Sequence, residues 1–276
     1  MNGMDLGQWL RLVDVIIEVV DARLPATGRG VEVRHLLARS RRGHLLVLNK
    51  ADLAEPEKTR AWMEHWRAGG LLSASASAVR GEGIRNCRRL VMEAAASRPK
   101  KWQRAPRAMV VGLPNVGKSS LLNRLIGRSV VRVGRRPGIT RGVQWVRIAP
   151  GLELLDTPGL LGAGGVDGER RLRLSAVGIL PQNEADSWET ARWLLSLLPG
   201  ERVDVYGAEM ASPLATPEDR LAALARKRGF LGPGGIPDTS RAARLLVEDF
   251  SRGRLGPLTL ELPGDGRGEA EDRERV

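Results

Sequence analysis

The chain has 276 residues, 42% of them hydrophobic, which is enough for one large or two modest domains with cores of their own. No apolar run approaches the roughly 20 residues of a membrane-spanning helix, and a single cysteine, Cys87, excludes an internal disulfide. We therefore expect a cytoplasmic protein without a membrane partner. The net charge of +12 indicates an anionic macromolecular partner, although an Arg-favouring genome alone would also explain it.

The first part of the chain alternates predicted strands with predicted helices. The β-branched run at 11–20 predicts a buried strand that ends at Asp21, after a short helix at 6–12. Further strands are predicted at 44–48 and 71–75, and helices at 31–39, 56–67 and 84–96. Trp62 and Trp66 lie one helical turn apart and are expected to pack in the core rather than stack on bases.

A basic linker at 98–107 precedes the second part of the chain. It is followed by a predicted strand at 108–112, a helix at 119–126 and a hairpin formed by 144–148 and 152–155. Strands separated by helices predict a doubly wound, mostly parallel sheet, with a ligand site at the carboxyl ends of its strands. Beyond residue 165 helical patterns dominate, at 169–180, 186–198, 217–227 and 240–252.

Residues 112–119, Gly-Leu-Pro-Asn-Val-Gly-Lys-Ser, match the phosphate-binding loop G-x-x-x-x-G-K-[ST] between a strand and a helix. Its glycines let backbone N–H groups converge on the α- and β-phosphates, Lys118 would reach the β- and γ-phosphates, and Ser119 would bind Mg²⁺. The N-terminus of the following helix adds free N–H donors. The residues of this loop that we expect to contact a nucleotide are Asn115, Val116, Gly117, Lys118, Ser119 and Ser120.

A second motif, Asn49-Lys50-Ala51-Asp52, directly follows the predicted strand at 44–48 and has the N-K-x-D form by which GTPases read guanine. The carboxylate of Asp52 can accept both the N1–H and the N2 amine of guanine, a pairing that adenine cannot offer. Asn49 would reach the base edge, and the stem of Lys50 would pack over the ring. A polar strand-to-helix turn is the simpler alternative for these four residues.

Three further segments complete the elements of one guanine-nucleotide site. Ser75 and Ala76, at the end of the next strand, would support guanine O6 through backbone N–H groups. Asp156 opens an Asp-Thr-Pro-Gly segment and would hold Mg²⁺ through water, while the N–H of Gly159 would sense the γ-phosphate. Thr140 would complete the Mg²⁺ coordination. Loss of the γ-phosphate would release the loops of Thr140 and Gly159, although a serine-rich turn and a plain loop threonine stay open as alternatives.

The two main motifs stand in the reverse of their usual order, because the phosphate loop of ordinary GTPases precedes the guanine-reading motif. This order predicts an α/β fold, a circularly permuted P-loop GTPase domain at 1–165 with a doubly wound, mostly parallel sheet. A smaller C-terminal helical domain is predicted at 166–262 and a disordered tail at 263–276. The expected cofactors are GTP or GDP and Mg²⁺.

The chain resembles the circularly permuted bacterial GTPases of the YlqF type, the ribosome biogenesis GTPase A family. The stretches that match cover nearly the whole chain, at 20–25, 49–52, 114–119, 136–140, 144–146, 154–160, 227–229 and 253–256. The resemblance implies a role in late assembly of the large (50S) ribosomal subunit, with its precursor and rRNA as partners and a monomer off the ribosome. The helical domain would contact rRNA through the basic clusters 170–173 and 226–228, unless these are solvated helix faces.

Intrinsic GTP hydrolysis is expected to be slow. Leu160 stands where many GTPases place a water-orienting Gln, and nothing here matches the Trp-Phe-Pro-Gly-His-Met pattern of the family. In related GTPases an Asn at the position of Asn115 helps to coordinate K⁺, so we expect Asn115, Lys118 and Thr140 to be catalytic, with K⁺ as a candidate cofactor. A GTP-regulated RNA-binding scaffold with little or no hydrolysis stays open. The guanine-reading motif argues against a P-loop kinase or ATPase.

Overall fold

A computed structural model provides the structure of the chain, and the residues that it describes are 6–38, 40, 42–96, 104–127, 131–132, 144–148, 151–156, 166, 168–180, 183–207, 210 and 215–264. They belong to two compact units, Met1–Ala163 with Thr259–Val276 and Gly164–Leu258. In this described part of the chain, no helix combines the length and the apolar character that crossing a membrane would require.

The first unit is built on one sheet, whose strands within the described residues are Val15–Asp21 (β1), Gly43–Asn49 (β2), Leu72–Ser75 (β3), Arg107–Val111 (β4), Val131–Arg132 (β5), Gln144–Ile148 (β6) and Leu152–Asp156 (β7). Their order across the sheet is β3-β2-β1-β4-β7-β6-β5. The first five strands in this order, β3, β2, β1, β4 and β7, pair in parallel. The last two, β6 and β5, form one edge of the sheet and pair antiparallel. The predicted α/β fold with a mostly parallel sheet is confirmed.

The central strand β1 lies between β2 and β4 and is buried along its whole length. A strand covered on both faces reads as a nearly continuous apolar run, whereas a half-exposed strand alternates, and in β1 only Glu18 and Asp21 are polar. In the parallel register Asp21 lies opposite Asn49 of β2, so both strands end at the same edge of the sheet. The carboxyl end of β4 opens into the phosphate loop at this edge. The topology therefore gathers the loops that carry the predicted nucleotide motifs.

The helices of the first unit within the described residues are Leu6–Leu10 (α1), Val31–Ala38 (α2), Pro56–Ala68 (α3), Ile84–Ala95 (α4) and Lys118–Ile126 (α5). Helix α3 begins at Pro56, because a fixed φ and a missing N–H suit the first turn of a helix. Trp62 and Trp66 of α3 are 1% and 8% exposed, and their ring centroids lie 5.0 Å apart in an apolar cluster. The prediction that this pair packs in the core is confirmed.

The second unit is helical in its described part, with Gly168–Ala176 (α6), Glu184–Leu197 (α7), Gly200–Val203 (α8), Pro217–Lys227 (α9) and Thr239–Ser251 (α10). Capping boxes begin α7 and α9, formed by Asn183 with Asp186 and by Thr216 with Asp219. Helix α6 ends earlier than predicted, because Gly178 adopts a φ of 76° and turns the chain. The short helix α8 escaped prediction, since four residues show no periodicity.

The two basic clusters that were predicted to face RNA differ in their exposure. Arg173 is only 3% exposed, and Arg171 pairs with Asp186 of α7. Arg173 is therefore used inside the helical unit and does not face RNA. Arg171 keeps 30% of its side chain exposed, so for the rest of this cluster contact with RNA stays a prediction. Residues 226–228, at the end of α9, are exposed.

The predicted helical domain extends to residue 262, whereas the structure ends the helical unit at Leu258. From Thr259 the chain belongs to the first unit, where the N–H of Leu260 donates to the carbonyl oxygen of Arg23 at 2.9 Å. A short extended segment has neither helical nor strand periodicity, so its destination could not be predicted from the sequence.

Candidate nucleotide-binding site

The phosphate loop connects the carboxyl end of β4 to the N-terminus of α5, and its path depends on residues with positive φ. Gly112, Asn115 and Gly117 have φ values of 148°, 58° and 92°. A Cβ on Gly112 would lie 2.2 Å from the carbonyl oxygen of Val19, and a Cβ on Gly117 would lie 2.3 Å from Nδ2 of Asn49. Glycine is therefore needed at both points, where the loop touches the neighbouring strands.

Lys118 folds back over this loop. Its Nζ donates to the carbonyl oxygens of Gly112 and of the next residue, at 2.9 and 2.7 Å. Burial lowers the pKa of this ammonium group below its ordinary 10.5. Beside it the side chains of Asn115, Ser119 and Ser120 are exposed. Polar groups thus surround the open N-terminus of α5, an arrangement that suits phosphate binding.

Asn49 connects the guanine-reading motif to the phosphate loop. It is 1% exposed at the end of β2, and its Nδ2 donates to the carbonyl oxygen of Val116 at 2.8 Å. Its Oδ1 accepts the N–H of Ala78 at 3.1 Å. Three loops that are far apart in the sequence therefore meet on one side chain. Asn49 braces these loops, and the contact with the base edge that we expected would use the second N–H of its amide.

The loop after β3 corrects one expected contact. The N–H of Ala76 donates to the carbonyl oxygen of Leu48 at 2.9 Å, which continues the pairing of β3 with β2. Because the sheet already uses this N–H, Ala76 is not the donor to guanine O6 that the sequence predicts. The repeated Ser-Ala at 75–78 allows two registers, and the second, with Ala78, is the one that contacts Asn49.

Arg124, on helix α5, binds the loop that follows β3. Its guanidinium group donates to the carbonyl oxygens of Ala78 and Val79 at 2.8 and 2.7 Å. Since one helix carries both Lys118 and Arg124, the phosphate loop and the loop after β3 share a common support.

Lys50 is held by a buried ion pair that the sequence reasoning missed. Its backbone has a φ of 58°, and its Nζ lies 3.0 Å from Oδ2 of Asp21. Asp21 is fully buried and also accepts Nε and Nη2 of Arg23 at 2.9 and 2.8 Å. Burial alone would raise the pKa of Asp21, but the charges and hydrogen bonds of Arg23 and Lys50 outweigh it and hold the pKa below 3.8. An Asp at the end of an apolar strand, two residues before an Arg, was the available signal.

Asp52 follows on the same turn and stays within reach of solvent. Its side chain is 12% exposed, and Oδ2 lies 3.8 Å from Nε of Arg80. A carboxylate in this situation can accept two parallel N–H donors, which is the pattern that the edge of guanine presents.

Comparisons with known proteins assign the family. A family model described as 50S ribosome-binding GTPase matches residues 107–193. Ribosome biogenesis GTPase A of Bacillus cereus is 34% identical, over 97% of this chain and 92% of that protein. Ribosome biogenesis GTPase A of Thermotoga maritima is 31% identical, over 93% of this chain and 88% of that protein. The chain belongs to the ribosome biogenesis GTPase A family.

Solved structures of YlqF agree with the fold of this member of the ribosome biogenesis GTPase A family. A GDP-bound YlqF superposes with a TM-score of 0.68 at 28% identity, over 94% of this chain and 98% of the other. A GNP-bound YlqF from T. maritima gives 0.67 at 27% identity, over 94% and 96%. The family resemblance is confirmed, and the chain is a guanine-nucleotide-binding GTPase. The kinase or ATPase alternative is set aside.

The permuted order of the ribosome biogenesis GTPase A family is visible in the extent of the family match. The matched region starts at Arg107, the first residue of β4, so the guanine-reading motif at 49–52 lies before it. In space the two halves are continuous, because β1 pairs directly with β4.

The family is one of Mg²⁺-dependent chemistry, and the residues present fit an ion that phosphate oxygens largely coordinate. Within the described ranges no group of three or more His, Cys, Asp and Glu side chains could hold a metal. Ser119, exposed at the start of α5, offers one hydroxyl ligand. Thr140, Gly159 and the side chain of Asp156 lie outside the described residues.

Proposed function

We propose that this GTPase is a nucleotide-controlled switch that assists late assembly of the large (50S) ribosomal subunit and binds rRNA. The contact that carries the nucleotide half of the proposal is Asn49 Nδ2 to Val116 O at 2.8 Å, because it joins the guanine-reading and phosphate-binding loops. The ribosomal half is supported by relatives that are named for ribosome biogenesis and by the match to a family of 50S ribosome-binding GTPases.

The base would be read by Asp52 through guanine N1–H and N2, with the stem of Lys50 over the ring. Guanine O6 could accept the N–H of Ala78 only if the side chain of Asn49 released it. When a nucleotide binds, Nζ of Lys118 would leave the two carbonyl oxygens to which it donates and would bind the phosphates instead. The bound Mg²⁺ would supply charge neutralisation of the phosphates, and the residues that would hold it or sense the γ-phosphate are Ser119, Thr140, Asp156 and Gly159.

The distribution of charge indicates which unit makes the stronger contact with RNA. Residues 164–258 contain 13 basic and 13 acidic residues, whereas the GTPase unit, residues 1–163 with 259–276, contains 31 basic and 19 acidic residues. The helical unit is therefore close to neutral, and the excess positive charge lies on the GTPase unit. Because neutralised phosphates dominate nucleic-acid affinity, we expect the GTPase unit to supply the larger electrostatic share.

Helix α4 carries part of this charge on its exposed side. Arg85 and Arg89 are exposed, and Arg88 donates to the carbonyl oxygens of Arg124 and Leu125 at the end of α5, at 3.0 and 3.1 Å. These bonds tie α4 and α5 into one surface. We call Arg85, Arg88, Arg89 and Arg124 the α4 basic face. Guanidinium groups repeated along a helix suit the successive phosphates of a nucleic-acid strand.

The helical unit offers a smaller surface at the end of α9. Residues 226–228 are exposed there, and nearby Arg241 lies over the ring of Phe230, 4.2 Å from its centroid. A cationic side chain stacked on an aromatic ring resembles the platforms on which single-stranded RNA bases stack.

We expect slow hydrolysis off the ribosome because of the residues that are predicted to lie near the γ-phosphate. Leu160 offers no polar group to orient water, unlike the Gln of many GTPases. Asn115 is exposed at a φ of 58° in the phosphate loop, and we assign it the K⁺ contact that related GTPases make there. Together with Lys118 and Thr140 it would set positive charge against the transition state. The free protein would be a monomer.

Co-sedimentation with large-subunit precursors tests the proposal. With a non-hydrolysable GTP analogue the protein should bind the precursors, and with GDP it should be released. GTP turnover should rise about tenfold or more when precursors and K⁺ are added, as expected for a coupling between two sites. Equal binding with both nucleotides, together with turnover that the precursors do not change, would contradict the proposal.

A further inference from the structure

The segment Thr259–Glu261, which we call the C-terminal clasp, follows directly on the last residue of the helical unit, Leu258. It packs in the GTPase unit and joins two loops that flank the guanine-reading side of the site. Thr259 and Glu261 are 5% and 1% exposed, although both are polar. Polar residues stay this deeply buried only where hydrogen bonds replace water.

Glu261 holds the loop that follows β1. Its carboxylate accepts the N–H of Ala26 at 2.8 Å and the N–H of Thr27 at 3.2 Å. Its carbonyl oxygen accepts Nε1 of the buried Trp62 at 3.1 Å. One residue therefore joins this loop to α3, over more than 230 positions of sequence in the case of Ala26 and Thr27.

Thr259 holds the start of α3 in a reciprocal contact. The N–H of Glu55 donates to Oγ1 of Thr259 at 3.1 Å, and the N–H of Thr259 donates to Oε2 of Glu55 at 2.9 Å. Glu55 comes three residues after Asp52 and directly precedes the first residue of α3, Pro56. The clasp therefore fixes the downstream end of the guanine-reading motif.

A short chain of contacts leads from the clasp to Lys50. The N–H of Leu260 donates to the carbonyl oxygen of Arg23 at 2.9 Å. The guanidinium group of Arg23 donates two hydrogen bonds to the carboxylate of Asp21. Oδ2 of this carboxylate also forms an ion pair with Nζ of Lys50, at 3.0 Å. Both sides of the guanine-reading turn, Lys50 through Asp21 and Asp52 through Glu55, thus depend on the same three residues.

We propose that the C-terminal clasp positions the guanine-reading loops, and that it thereby links the end of the helical unit to base recognition. The proposal rests on the proposed role of Asn49–Asp52 in reading guanine. Without the carboxylate of Glu261, the N–H groups of Ala26 and Thr27 lose their acceptor, and the loop that orients Asp21 loosens. Because β4 and α5 also hold the phosphate loop, which meets the guanine-reading motif through Asn49, we expect a larger effect on the base than on the phosphates.

The linkage acts in both directions, as every coupling between binding equilibria does. Displacement of the clasp weakens guanine binding, and bound guanine nucleotide resists displacement of the clasp. A partner that pulls on Leu258 would therefore favour nucleotide release.

Nucleotide titrations of Glu261→Gln test the clasp, with GDP and inosine diphosphate as probes. Inosine lacks the N2 amine, so the ratio of the two affinities measures how well Asp52 is aligned. We expect the ratio of GDP affinity to inosine diphosphate affinity to be about tenfold smaller in the variant than in the wild type. The loss of one charged hydrogen bond has an effect of about this size. Thr259→Val should shift the ratio in the same direction, which keeps the test decisive if Glu261→Gln does not fold.

Asp14→Asn is the matched control. Asp14 is also a buried carboxylate that accepts a backbone N–H, that of Arg107 at 2.8 Å, but it lies before β1, at the end opposite Asp21. This variant should lose thermal stability and keep the preference for GDP. If the clasp variants also keep the wild-type preference, the clasp proposal is wrong. If the wild type itself does not prefer GDP to ADP, the guanine-reading role fails instead.

Discussion

Buried carboxylates hold the loops of the GTPase unit in place. The fully or almost fully buried members of this group are Asp14, Glu18, Asp21 and Glu261. Each accepts hydrogen bonds from arginine side chains or backbone N–H groups. Since a charge taken out of water is costly unless such bonds compensate it, these sites respond strongly to single-atom changes.

Glu18 provides a pH-dependent test of this statement. Its Oε2 lies 2.9 Å from Nη2 of Arg29 and 3.0 Å from Nε2 of His44. Burial alone would raise the pKa of Glu18, but the hydrogen bond from His44 and the charge of Arg29 outweigh it and hold the pKa below 4.5. A lowered folded-state pKa contributes stability above the unfolded pKa, and this stability is lost as the pH falls below about 4.5.

We therefore expect Glu18→Gln to lower the free energy of unfolding at neutral pH by about 3 kcal/mol, because it removes the charged partner of the partly buried guanidinium group of Arg29. Between about pH 5 and pH 3 the variant should depend less on pH, by up to about 1.4 kcal/mol per unit. Denaturant titrations over this range measure both effects. The exposed Glu64→Gln is the control, and a variant whose pH dependence equals that of the wild type would contradict the account.

For individual residues, the sequence predicts the loop position of those that belong to a motif with fixed spacing. Lys118, Ser119 and Asp52 occupy the loops expected for them. The bracing role of Asn49 could not be predicted, because its partner Val116 lies 67 residues away and offers only a carbonyl oxygen. The register of 75–78 could not be predicted either, because the dipeptide Ser-Ala occurs twice in this segment. Only the pairing of β3 with β2 shows that the first Ser-Ala continues the sheet.

Among the elements, those with local start signals were predicted best. Helix α9 begins at Pro217 behind the cap of Thr216 and ends at Lys227, the bounds that the sequence predicts. The C-terminal clasp was not predicted, because its three residues carry no periodicity and all their partners are distant. Signals within the chain thus determine where a helix begins, while distant contacts determine where an extended segment packs.

The α4 basic face leads to a prediction about RNA binding. Reversing both exposed charges, in Arg85→Glu with Arg89→Glu, should weaken binding to large-subunit precursors about tenfold or more. The slope of log Kd against log salt concentration should fall by about two, one for each lost phosphate contact. Filter binding at several KCl concentrations measures both quantities.

Reversal of Arg226 and Lys227 in the nearly neutral helical unit is the matched comparison and should cost less. Affinity for GDP should stay at the wild-type value in both double variants, because neither pair contacts the nucleotide loops. A larger loss on reversing Arg226 and Lys227 than on reversing the α4 pair would show that the helical unit dominates RNA binding.

In the whole molecule, the helical unit is inserted in the sequence between two segments of the GTPase unit. One connection leaves β7 at Asp156 and reaches α6 at Gly168, and the other runs from Leu258 directly into the clasp. The motif order predicts that one site forms from a permuted chain, because parallel strands carry their loops to one edge. The net charge of +12 does not predict which unit is basic, since that depends on where the chain divides.

Base selection by Asp52 tests the central claim most directly. Calorimetric titration should show one GDP bound per wild-type chain, and Lys118→Ala should weaken its binding. In Asp52→Asn the new amide offers a donor where guanine N2 also donates, while xanthine offers an oxygen there. The account predicts that Asp52→Asn prefers xanthosine diphosphate to GDP. An Asp52→Asn variant that binds GDP like the wild type and ignores xanthosine diphosphate would contradict it.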